Sequence, residues 1–200
     1  MKIRMLAIMA VLLAGAGISR ADMSADLWSN NTNMTCSYTS PEPVSGSSDN
    51  YQLSIYGTQL AWAMGSIVGT ITTDGTDPTL QLDEQINNDT GYTWYDYEVT
   101  ITMNQQFSFS GVNVASPSGW TDIVTGPTFN GSEWIGSIEY DAGNAVPNGG
   151  ILDFNLSVTF TGNASFEEDL MPSVPEPGTV ALMVCGLTGL LVMRRRSAMK

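Results

Sequence analysis

Two stretches of this chain alternate apolar and polar residues with a period of two, a spacing that no helix accommodates. Tyr95, Tyr97, Val99, Ile101 and Met103 interleave with Asp96, Glu98, Thr100, Thr102 and Asn104. Leu152, Phe154, Leu156, Val158 and Phe160 interleave with Asp153, Asn155, Ser157, Thr159 and Thr161. Successive strand side chains point to opposite faces, so each stretch reads as a half-buried strand with one wet face. Weaker runs of the same kind lie at 51–56, 60–72, 79–86, 107–115, 120–125 and 133–140. Turn residues separate them: Asp74–Pro78, Asn87–Gly91, Pro117–Gly119, Asn130-Gly131 and Pro147–Gly150. Asn130-Gly131 is a hairpin signal, because both residues tolerate positive φ. Short strands at this spacing, without a convincing helix, predict an all-β domain: a single antiparallel β-sandwich, jelly-roll or immunoglobulin-like, over residues 51–163. Residues 22–50, with Asn30–Asn33 and Ser45–Ser48, read as a turn-rich segment with room for one short strand. Residues 164–173, with Glu167-Glu168-Asp169, read as a linker.

Charge restricts the chemistry. No Lys, Arg or His lies between Arg20 and Arg194, and all twenty acids, Asp22 to Glu176, lie inside that gap. Without His the domain has neither the usual general base nor the commonest metal ligand. Without Lys and Arg it has no Schiff-base amine and no phosphate clamp. A Ser-His-Asp triad is impossible, and a purely anionic domain repels nucleic acid. The expectation is a non-enzymatic domain with no catalytic residues and no nucleic-acid partner.

Carboxylates, amides, hydroxyls and aromatics remain. Glu98, Glu133 and Glu139 lie on expected strands and could form a glycosidase acid/base pair, although strand carboxylates mostly face water. Asp89-Thr90-Gly91 matches the aspartic-protease tripeptide but lacks the preceding apolar strand, so a turn explains it better. Asp74, Asp77 and Asp83 (beside Glu84), and Asp89 (beside Asn87 and Asn88), are oxygen-rich groups suited to calcium, the one cofactor considered. Asx turns are their structural alternative. Trp94, Trp120 and Trp134 are candidates for a sugar-stacking face, with core packing as the alternative. Cys36 is the only cysteine ahead of the apolar tail, so the domain has no internal disulfide and Cys36 is expected to be buried.

The ends read as addresses. Lys2 and Arg4 precede the apolar run Met5–Ile18 and then Ser19-Arg20-Ala21, so residues 1–21 form a secretory signal peptide cleaved between Ala21 and Asp22. At the other end, Pro175-Glu176-Pro177 precedes an uncharged stretch, 178–193, and then Arg194-Arg195-Arg196. Sixteen helical residues span about 24 Å, short of a hydrocarbon core of about 30 Å. The arginines act as a stop-transfer cluster on the cytoplasmic side, leaving the domain outside.

Those three parts, in that order over residues 174–200, resemble the PEP-CTERM protein-sorting signal. The resemblance implies an exosortase-type processing enzyme as partner, transient membrane anchoring through the C-terminal helix, and delivery to the cell surface or extracellular matrix, commonly beside exopolysaccharide. It implies nothing about residues 22–173. Together these readings predict an exported protein with a structural or adhesive role; the alternative is a carbohydrate-binding module, with or without calcium, that holds extracellular polysaccharide.

Overall fold

The computed structural model describes residues 22–173 apart from Ser48. The expected signal peptide with Ala21, the Pro175–Pro177 motif, the expected helix over 178–193 and Arg194–Arg196 lie outside the described residues. Twelve strands and no helix are found among the described residues, so none of them forms a helix long and apolar enough to cross a membrane.

The strands are β1 (Met23–Ser29), β2 (Met34–Tyr38), β3 (Glu42–Pro43), β4 (Asn50–Gln59), β5 (Gly65–Thr73), β6 (Thr79–Asn88), β7 (Asp96–Met103), β8 (Phe107–Ser116), β9 (Thr121–Phe129), β10 (Trp134–Asp141), β11 (Ile151–Phe160) and β12 (Ala164–Ser173). They form two sheets, ordered β1-β5-β12-β7-β10-β9 and β2-β4-β6-β11-β8, with β3 paired to β4. All pairings but one are antiparallel. The exception to the expected antiparallel pattern is β4 beside β6, which run parallel because the chain crosses through β5 in the other sheet between them.

The two strongest alternations form strands as expected. Tyr97, Val99, Ile101 and Met103 on β7, and Leu152, Phe154, Leu156, Val158 and Phe160 on β11, point inward and are buried. Aromatic contacts join the sheets: Tyr140 of β10 and Tyr97 of β7 lie 5.3 Å and 6.1 Å, centroid to centroid, from Phe154 of β11. Burial of these inward rows is the main stabilising contribution, at about 25 cal/mol per Å² of apolar surface. The Asn130-Gly131 hairpin joins β9 to β10. Asn130 Oδ1 accepts from the Ser132 and Glu133 amides at 2.9 Å, and Gly131 takes φ +109°, which a side chain would oppose.

Two expected boundaries are corrected. Residues 22–50 are not a turn-rich lead-in but carry β1 and β2, one outer strand of each sheet, and β3. Met23 and Leu27 of β1 and Met34 of β2 are core residues. Residues 164–173 are not a linker. They form β12, third of six in its sheet, hydrogen-bonded to β5 on one side and β7 on the other. Phe166 and Leu170 are buried, and the acid run sits on a strand because every second residue of it leaves the core. The described domain is therefore 22–173, not 51–163.

Candidate functional site

The centre of the sandwich holds two carboxyl groups. Glu84 continues the inward row Leu80, Leu82, Glu84, Ile86 of β6, and Glu168 the inward row Ala164, Phe166, Glu168, Leu170 of β12. Ile55 and Phe154 are the strand neighbours of Glu84; Ile67 and Ile101 are those of Glu168. Both glutamates are 0% exposed. None of the four carboxyl oxygens has a well-formed hydrogen bond; each carboxyl is the other's polar neighbour, in a looser contact that places the proton on Glu84.

Burial pushes both acids toward the protonated form. For Glu84 desolvation is the larger cause and the Glu168 charge the next, and its carboxyl stays protonated well above the usual range. For Glu168 desolvation dominates, partly opposed by the contact with Glu84, and its carboxyl is pushed up to about 7. Tyr97 and Tyr140 have buried hydroxyls without partners, and burial together with these acids keeps them protonated. Half-buried Cys36 on β2 is a free thiol, raised by burial and then by the Glu168 charge. With no Lys, Arg or His in residues 22–173, no cationic side chain offsets any of this. The arrangement stores a proton between two sheets and offers it to no solvent-facing cleft.

The four aspartates expected to bind calcium gather into no metal-holding group among the described residues, and three of them accept hydrogen bonds through their carboxylates. Asp74 Oδ1 accepts from the Asp22 amide at 2.5 Å, beside a surface hollow of about 260 Å³ lined by Asp22, Met23, Ser24, Thr72, Thr73 and Asp74. Asp77 accepts from the Thr161 hydroxyl at 3.4 Å, and Asp83 from the Gln52 amide. The Asp89 amide donates to the Gln59 carbonyl at 2.9 Å. No three of His, Cys, Asp and Glu gather into a metal-holding group among the described residues. Asn88 is the clearest Asx turn. Its Oδ1 accepts from the Thr90 amide and hydroxyl at 3.1 and 2.7 Å, and its Nδ2 donates to the Tyr92 and Val146 carbonyls at 2.7 and 3.0 Å. The Asp89-Thr90-Gly91 tripeptide lies in this same turn.

No family model, curated protein or solved structure matches this chain. Its reading therefore rests on its own residues.

The three expected stacking tryptophans do not share a face. Trp94 is fully buried against Tyr97, with its indole N–H donating to the Thr90 hydroxyl at 3.2 Å, so it is a core residue and not a sugar platform. Trp134 lies half-buried on the inner side of β10 against Phe129. Trp120 donates to the Asn144 carbonyl at 3.0 Å and packs flat on Gly143, where an added Cβ would come within 1.9 Å of the indole. The exposed indole is Trp28 on β1, half exposed, which sequence reasoning passed over. Glu98 and Glu139 pair across β7 and β10 on the outer face of the sheet, while Glu133 lies in the β9–β10 turn. Cys36, expected to be buried, is half-buried against the core.

Proposed function

We propose that this chain is an exported surface or extracellular-matrix protein with a structural or adhesive role, sorted through the tail that resembles a PEP-CTERM signal and processed by an exosortase-type enzyme. The observation that supports a non-enzymatic reading is the sealing of Glu84 and Glu168. They are the carboxyls best suited to proton transfer by their altered affinity, yet both are wholly buried inside the core, away from solvent. The surface carries strand rows of Thr, Ser, Asn and carboxylate, suited to solvent and matrix. Passage from one sheet to the other at most turns supports jelly-roll-like winding over an immunoglobulin-like one.

Fractionation of the native cell with mass spectrometry of the mature protein tests this. The expected product begins at Asp22, ends near Pro175–Pro177 and is found outside the inner membrane. A full-length chain in the cytoplasm would falsify the proposal.

A second reading, carbohydrate binding, draws support from two aromatic positions. Trp28 is exposed on the outer face of its sheet. Tyr92, 61% exposed, stands edge-on to Trp62 at 4.9 Å. Binding to extracellular polysaccharide that is lost in Trp28→Ala or Tyr92→Ala would favour it over a purely structural role.

A further inference from the structure

Strand β9 differs from every other long strand of the domain: none of its residues is buried. It is the last strand of its sheet, so one row of its amide and carbonyl groups has no neighbouring strand. Asp122 and Val124 stand opposite Tyr140 and Ile138 of β10, and Phe129 opposite Trp134, which puts all three on the inner face. That face is nonetheless uncovered here, with Val124 42% and Phe129 55% exposed; Ile123, on the outer face, is 56% exposed. Proteins guard such edges with lysines, prolines and bulges. This domain has no lysine, and its one proline-bearing bulge opposite β10, at Gly126-Pro127, leaves Thr121–Thr125 in regular register with β10.

We propose that β9 is the edge through which two copies of this chain pair, antiparallel, joining their two sheets into one. The charge distribution identifies the occupant. Across the described domain, nineteen acids and no bases make close approach of two copies unfavourable. Residues 99–132 are the exception, with Asp122 as the only acid, and β8, β9 and their hairpins come from this stretch. A basic partner would be drawn to the anionic remainder and has no reason to choose an edge with a single acid, Asp122. A second copy meets least repulsion there and presents the same apolar row and the same free backbone. In a register centred on Val124, Asp122 of one copy lies opposite Gly126 of the other, so the two carboxylates do not face each other. The other three ends are less suitable: β8 is interrupted by two register shifts against β11, β1 carries Asp26, and β2 is only 5 residues long.

Sedimentation of the full chain in detergent tests the pairing, comparing wild type with Val124→Lys and Thr125→Lys. Both sites are exposed, and an unchanged melting temperature confirms folding. The expected result is a dimer at about 50 µM for wild type and a monomer for each variant, with concentration-dependent protection of the Thr121–Thr125 amides from hydrogen exchange in wild type only. A monomeric wild type, or a dimer that survives both substitutions and so forms through the tail, would overturn the proposal. Amide protection that appears only on adding extracellular polysaccharide would also overturn it, by assigning the edge to a glycan.

Discussion

Glu84 and Glu168 meet from the interior strands of opposite sheets, each wholly buried and each flanked by apolar neighbours. Two carboxylates in such a place cannot both be charged, so the folded state retains a proton that the unfolded chain would release. Asp83, Asp169, Cys36, Tyr97 and Tyr140 lie around the pair, and ionisation of any of them adds negative charge.

The sign of the pH dependence follows. An acid whose folded pKa is raised contributes fully below its unfolded value, about 4.3, and that contribution is lost as pH rises through the folded value. For Glu168 that window runs from about 4.3 to about 7; for Glu84 it extends higher. The loss from Glu168 alone is roughly 3–4 kcal/mol, or about 6–15 °C of melting temperature in a domain of this size. Melts between pH 4.5 and 9 should show this decline in wild type and a much flatter profile in the Glu84→Gln/Glu168→Gln double variant. Surface acids repel in both proteins, so identical slopes would show that the buried pair contributes nothing.

Asn88 closes the loops at one end of the sandwich with four side-chain hydrogen bonds, and its backbone joins Gly149 and Gly150. Asn88→Ala leaves buried carbonyls and the Thr90 donors unpaired, at a cost of about 2–4 kcal/mol. The expected outcome is a melting temperature lower by about 5–15 °C. A change under 2 °C would show that solvent replaces the whole network.

Asp22 and Asp74 predict a consequence of the proposed signal cleavage. If the chain is cut after Ala21 as proposed, the Asp22 amide, 2.5 Å from Asp74 Oδ1, becomes an α-ammonium, the sole cation within residues 22–173. An exposed pair of this kind contributes about 0.2–1 kcal/mol. Asp74→Asn is therefore expected to lower the melting temperature of the processed protein by about 1–3 °C and to leave the unprocessed chain unchanged. Equal shifts in both forms would remove the ion pair from the account.

Calcium should act by screening alone. Asp74, Asp77, Asp83 and Asp89 are scattered, and no metal-holding group gathers among the described residues. Calcium chloride and sodium chloride at equal ionic strength are expected to raise the melting temperature alike, by relieving repulsion among the acids. A saturable, calcium-specific rise would reveal a site built from backbone and amide oxygens.

The strands with clean alternation were legible, because Tyr97–Met103 and Leu152–Phe160 carry an apolar residue at every inward position. β12 was hidden by the same rule. Glu168 occupies an inward position, and with Glu167 and Asp169 beside it the segment looks solvated unless Ala164, Phe166 and Leu170 are counted in phase. Glu84 was masked in the same way beside Asp83. An acid in register with an apolar row is the signal that would have found both. The tryptophans were harder, since indole side chains serve core and surface equally: Trp94 is fully buried and Trp28 half exposed.

The position of β12 also governs when the domain can fold. It is the last of the described strands, and it joins β1-β5 to β7-β10-β9. Until Ala164–Ser173 has emerged, that sheet exists only as two fragments, and the contacts that would fasten them span nearly the whole chain. That sheet therefore closes last, and the fold is locked by Ala164–Ser173, the final ten described residues.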